Sequence, residues 1–198
     1  DMSTQTFGEP VRRNANPRLL RGEGAYVDDI SLPGALHAAF LRSPFARARI
    51  KTIDIEEARA HPGVVKIYTC DNIGTLDNEL PLLVPHPSLT GARTQRPLAR
   101  DDVFHVGQAV AMVVAVDRYV AEDALELIEV EYDPLPPVVK PEDALDPDAA
   151  TLHEELGNNI GCHRLLDYGE VDKAFEEADL TLKERFVFPR YSSLPLET

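Results

Sequence analysis

Apolar positions along the chain fall into short runs of two periods. Ala35 to Leu41 is a short apolar run that reads as a buried strand, with His37 inside it read as a satisfied core histidine rather than a ligand. Ala48 to Ile55 alternates through Ile50, Ile53 and Ile55 and reads as a strand of slightly irregular phase. Asp54 can cap a short helix over Glu56–Ala60, which His61-Pro62-Gly63 then stops. Val64 to Thr69 is β-branched and aromatic, hence a strand. The most hydrophobic run, Ala109 to Val116, predicts a central buried strand. Asp117 is its successor's N-cap: a helix follows from Arg118 to Ile128, with a stripe of Val120, Ala124, Leu127 and Ile128. Val130-Glu131-Tyr132 starts another strand, halted by Pro134, so this stretch reads as a βαβ-like unit.

The remaining pattern is weaker. Residues 1–18 are polar and aperiodic, an extended arm. Gly22-Glu23-Gly24 and Leu32-Pro33-Gly34 are turns, the first calling for a positive φ. Residues 71–102 carry Pro81, Pro85, Pro87 and Pro97 without clean periodicity. A loop this long inside a domain is usually functional or an interface element. A proline-punctuated acidic stretch, Pro141–Pro147, places a domain boundary near 145–165. Beyond it, Asp167-Tyr168-Gly169 is a turn, Glu170–Ala178 a short amphipathic helix and Leu180–Phe188, by strict alternation, a strand. A domain that opens with one helix and one strand and then stops reads as incomplete.

Composition narrows the function classes. The 198 residues are 43% hydrophobic and 27% charged, ordinary for a globular protein. The formal charge is −14, and residues 101–184 hold 22 acidic against 5 basic side chains. That argues against nucleic acid and anionic membranes as partners. The acidic half is either a solvated surface or a docking face for another subunit. No apolar run approaches the ~18 residues of a membrane span, and the first residues lack a secretory h-region. Cys70 and Cys162 make no disulfide framework, so a reducing cytoplasm is the default expectation.

Candidate chemistry is sparse. His37, His61, His86, His105, His153 and His163 form no His-x-x-x-His, and Cys162-His163 is too close in sequence to share one metal readily. The serines lie in no Gly-x-Ser-x-Gly elbow. Gly22-Glu23-Gly24 lacks the strand and helix of a dinucleotide fingerprint. Asp28-Asp29 and Asp101-Asp102 offer paired carboxylates for calcium or acid–base work, or are exposed loop acids. No catalytic, cofactor-binding or metal-binding residue is assigned.

Five strings in order resemble the molybdenum-binding large subunit of the xanthine dehydrogenase/aldehyde oxidase family, which includes carbon monoxide dehydrogenase-like enzymes and N-heterocycle hydroxylases. They are Pro17–Asp29, Leu32–Pro44, Pro62–Val65, Val106–Ala111 and Val130–Pro136. The resemblance implies an α+β fold: an N-terminal arm over 1–17, an α/β hammerhead domain over 18–145, and over 146–198 a linker and the beginning of a molybdopterin-binding domain. Phe186–Thr198 is similar to a strand and turn of that second domain. Gln108 resembles the glutamine of the hammerhead Val-Gly-Gln string, not the one that approaches molybdenum. The family's pterin loops and catalytic glutamate match no position here. The implied whole is a molybdenum-dependent oxidoreductase that oxidises an aldehyde, carbon monoxide or an N-heterocycle with oxygen from water. Its cofactors would be molybdopterin, as the cytosine dinucleotide, in the complete subunit, with FAD and [2Fe-2S] centres in partner subunits. The partners would be the remainder of the large subunit, an iron–sulfur small subunit and an FAD medium subunit, as a dimer of heterotrimers. In this reading the segment itself is scaffold and is inactive alone. A free-standing, non-catalytic protein-interaction module is the rival.

Overall fold

Six strands and four short α-helices appear among the residues that the computed structural model describes, which are 8, 13–14, 16–91, 94–189 and 191. In chain order they are α1 (Asn16–Leu20), β1 (His37–Arg42), β2 (Ala48–Asp54), α2 (Glu56–Ala60), β3 (Val64–Tyr68), β4 (Asp102–Val103), β5 (Ala109–Ala115), α3 (Arg118–Leu125), β6 (Glu129–Pro134) and α4 (Val171–Glu176). The chain divides into two compact units, one of Asp1–Ala35 with Leu182–Thr198 and one of Leu36–Thr181.

The larger unit is built on two antiparallel three-stranded sheets, ordered β1-β5-β3 and β4-β2-β6. β5 is central, as its hydrophobicity predicts. Ala111, Val113 and Ala115 are fully buried on one face, against Ala121 and Ala124 of α3. Small side chains on both elements let helix and sheet approach closely. Val110, on the opposite face, joins a second cluster with Ala48, Ala99 and Val103. The expected strand is thus present, but Val114 is half-buried and Val116, just past its end, is exposed.

Asp117 caps α3 as expected, its Oδ1 accepting the Val120 amide at 2.8 Å. The helix ends at Leu125, three residues short of the prediction. Leu127 and Ile128 donate instead to carbonyls three residues back, at 3.3 and 3.2 Å, the tighter bonding that closes a helix end. The buried stripe is Ala121, Ala124 and Ile128, with Val120 and Leu127 on its flanks.

The βαβ reading is corrected. β5 and β6 flank α3 but lie in different sheets; β6 pairs antiparallel with β2, bringing Ile50 opposite Tyr132 and Ile53 opposite Val130. A parallel neighbour of β5 would be apolar on both faces, whereas β6 turns Val130 and Tyr132 inward and Glu129, Glu131 and Asp133 outward. That one-faced pattern suits an antiparallel edge.

Three further expectations are revised. β1 is not a buried strand: only Ala39 and Leu41 are half-buried, and His37 is exposed rather than a core histidine. β1 is an edge strand, and an alanine-rich run does not reveal which of its faces is covered. No strand forms over Leu180–Phe188, where Leu180, Leu182, Phe186 and Phe188 are exposed. Alternation fixes the two faces of a strand but supplies no ladder, and no described segment pairs with it. Residues 16–18, placed in the extended arm, enter α1, with Pro17 in the first turn where its missing N–H costs nothing. Most of the arm's other residues lie outside the described set. Gly22 and Gly34 take φ of 73° and 78° in the turns expected of them.

Candidate functional site

The long loop after β3 walls a cleft of about 560 Å³. Its walls are the start of β2 (Arg49, with Arg47 just before it), the loop's return limb (Thr94 to Asp102), Phe104 to Gln108, and a later segment carrying Leu152 to Glu155. The loop is pinned at both ends. Asn72 accepts the Thr69 amide at 2.9 Å and donates to the Ile67 carbonyl at 3.0 Å. At the other end Leu98 and Ala99 are 2% exposed, and Ala99 donates to the Ala109 carbonyl at 2.8 Å. Between them Leu76, Leu83 and Val84 project into solvent, 68%, 91% and 75% exposed.

Inside the cleft most cations already have protein partners. Arg96 donates to the Asp77 carbonyl at 2.7 Å and lies 3.3 Å from Asp77 Oδ2, which Arg100 also engages. The hydrogen bond from Arg100 holds the Asp77 carboxyl below the usual carboxylate range, despite the opposing cost of desolvation. Arg47 donates to the carbonyls of Pro136 and Thr151, at 3.3 and 2.9 Å. Arg49 Nε is 3.9 Å from Asp102 Oδ1, a loose pair.

Of the residues singled out from sequence, the fold brings His105, His153 and Asp101-Asp102 to this cleft. His153 packs against Phe104 at a tilt of 42°, ring centroids 4.6 Å apart, and His105 Nε2 is 3.4 Å from Gln95 Oε1. Gln108 is buried and structural: its Oε1 accepts the Phe104 amide at 2.7 Å. The others stay apart. Asp29 accepts the Tyr26 amide at 2.9 Å in a surface turn, and His86 accepts the Ser88 amide at 3.1 Å. Cys70 is buried, and burial together with Asp71 pushes its thiol up to about 11; Cys162 is exposed. Sequence reasoning missed Asp77, Arg96 and Arg100, since nothing in an aperiodic loop tells which charges will meet.

No three His, Cys, Asp or Glu side chains gather as metal ligands among the described residues. The cleft does not fit an anionic pterin nucleotide either. Its lining carries Glu79, Asp101, Asp102, Glu154 and Glu155, which would repel phosphate, and Arg47, Arg96 and Arg100 are held by other protein groups. What the arrangement does is fasten a loop to a sheet.

The family described as aldehyde oxidase and xanthine dehydrogenase, a/b hammerhead domain, matches residues 21–136. The chain belongs to this family. The hammerhead sheets and α3 fall within the matched span. The carbon monoxide dehydrogenase large chain of Afipia carboxidovorans is 39% identical over 98% of this chain and 25% of its own length. The 6-hydroxypseudooxynicotine dehydrogenase complex subunit gamma of Paenarthrobacter nicotinovorans is 38% identical over 96% of this chain and 24% of its own. The solved structure of a Cu,Mo-CO dehydrogenase in its carbon monoxide reduced state superposes with a TM-score of 0.70 at 37% identity, covering 87% of this chain and 23% of that one. The hammerhead chain therefore spans about a quarter of the length of these relatives. Among its described residues no helix is long and apolar enough to cross a membrane.

Proposed function

We propose that this chain is a scaffold and interface segment of a molybdenum hydroxylase large subunit, and that it contributes no catalytic group of its own. The carrying observation is the hammerhead match over 21–136 in a chain that spans a quarter of its relatives. Two structural features support the role. The cleft's charges are turned to internal fastening, and the 71–102 loop offers Leu83 and Val84 to a neighbouring surface.

In the whole enzyme the molybdopterin cytosine dinucleotide supplies the redox chemistry at the carbon that is hydroxylated, with oxygen from water. This segment's share is to hold the loop and the sheets in place for assembly. FAD and [2Fe-2S] centres belong to a medium and a small partner subunit, in a cytoplasmic dimer of heterotrimers. The relatives' designations as a large chain and as a complex subunit support the multi-subunit reading.

The test is turnover of the purified intact protein with an artificial electron acceptor, offered carbon monoxide, an aldehyde series and N-heterocycles. Substrate-dependent dye reduction by one of these classes is expected. Absence of reduction with all three, in protein shown to be folded and assembled, would remove the proposal.

A further inference from the structure

The residues after the family-matched span are not a plain spacer. Thr151 accepts from Arg47 at 2.9 Å, so the segment is tied to the start of β2. Asn159 then gathers it into a compact bend. Its Oδ1 accepts the Leu152 amide at 2.8 Å, and its Nδ2 donates to the carbonyls of Ala150 and Ala144 at 3.1 and 3.4 Å. Gly157, with φ of 71°, makes the reversal that a side chain would strain.

The bend lies against the long loop. Leu89 and Cys162 form an antiparallel bridge. Around it Thr90 donates its amide to the Gly161 carbonyl at 3.1 Å, and His163 donates to the Ser88 carbonyl at 3.3 Å. The Thr90 hydroxyl also reaches the Ile160 carbonyl. Leu156 sits over Gly91 so closely that a Cβ there would collide with its Cδ atoms. Only a residue without a side chain lets this contact form. His153 completes it on Phe104.

We propose that residues 151–163 are a strap that holds the 71–91 limb of the loop in one conformation, with Asn159 as its fastener and Gly91 as the seat for Leu156. Among its described residues the loop has no helix or strand beyond a single 3-10 turn at Gly74–Leu76, and its apolar tip faces solvent. Its own fastening is mostly by side chains, with Arg96 and Arg100 on Asp77, and the Leu80 amide reaches the Gln95 carbonyl at 3.0 Å. The strap adds backbone bonds and the Leu156 contact at residues 88–91, beyond the reach of those ion pairs. Releasing it would free the surface carrying Leu83 and Val84 without disturbing either sheet.

Hydrogen–deuterium exchange resolved to single amides, in the purified intact protein, tests this with Asn159→Ala. Three amides report: Thr90, bonded to the strap; Leu80, inside the loop and bonded to Gln95; and Val113, in β5. Exchange at Thr90 and Leu80 is expected to quicken by roughly tenfold, the scale of losing one to two net hydrogen bonds in a local opening, with Val113 unchanged. Gly91→Val, which evicts Leu156, should reproduce the pattern and serves alone if Asn159→Ala does not fold. Faster exchange at Thr90 with Leu80 unchanged would make the strap a passenger. A parallel rise at all three amides would make the effect global destabilisation. Either result overturns the proposal.

Discussion

Arg96 Nη1 stands 3.3 Å from Asp77 Oδ2 while donating to the Asp77 carbonyl at 2.7 Å. One side chain thus holds both the charge and the backbone of the loop's outgoing limb, and Arg100 closes on the same carboxylate. Because the Asp77 carboxyl is held below its ordinary value, chiefly by the Arg100 hydrogen bond, its folded form binds protons less readily than its unfolded form. Such a group contributes stability above the unfolded pKa of about 4 and loses it as pH falls through the folded value. Asp77→Asn should therefore lower the thermal midpoint at pH 7, and the gap to wild type should narrow as pH falls below the unfolded value of about 4. A gap that persists unchanged in acid would show that the charge is not what holds the loop.

The two faces of β5 should separate in stability measurements. Val113 is fully buried between β1 and β3 on the α3 face, whereas Val114 is half-buried on the other. Val113→Ala should cost about 2 kcal/mol in denaturant unfolding, through lost transfer energy and a residual cavity, and Val114→Ala distinctly less. A larger cost at Val114 than at Val113 would mean the register is shifted by one residue.

Gly63 follows the same logic in reverse. Its φ is 89°, and a Cβ there would lie 3.0 Å from Val116 Cγ2 and 3.2 Å from Val120 Cγ1. Gly63→Ala should destabilise by roughly 1–2 kcal/mol, from left-handed strain together with crowding of the β5–α3 corner. A neutral or stabilising outcome would show that the turn relaxes out of the left-handed region.

Cys70 should be silent while the protein is folded. Burial and Asp71 raise its thiol to about 11, so almost none is thiolate at pH 8. Maleimide labelling mapped by peptide mass spectrometry should leave Cys70 unmodified until denaturant is added. Rapid labelling in native protein would place it in an open loop.

The hammerhead's regular parts were legible in its sequence because they are one-faced or central. β5 announces itself through an unbroken apolar run, α3 through the Asp117 cap, and β2 through Ile50 and Ile53. Pairing was less legible. Val130 and Tyr132 mark β6 as half-buried, but only β2 determines which sheet it joins. Leu180–Phe188 has the right alternation but pairs with no strand among the described residues. The cleft was least legible: Asp77, Arg96 and Arg100 meet because a long aperiodic loop folds back, and Asn159 works through backbone carbonyls that carry no sequence signature. The family strings, by contrast, were readable because turns such as Leu32–Gly34 require particular residues.

The reading of this segment as scaffold is tested most directly by the molybdenum bound per chain in the intact protein. Wild type is compared with Arg49→Ala and His105→Ala, two cleft residues whose side chains carry no buried hydrogen bond in the fold. Inductively coupled plasma mass spectrometry should find molybdenum in the wild type and the same content in both variants, with kcat unchanged. Wild-type protein that is folded and assembled but free of molybdenum would contradict the enzyme assignment. Loss of molybdenum from either variant, with assembly intact, would place the cofactor in this cleft and contradict the scaffold role.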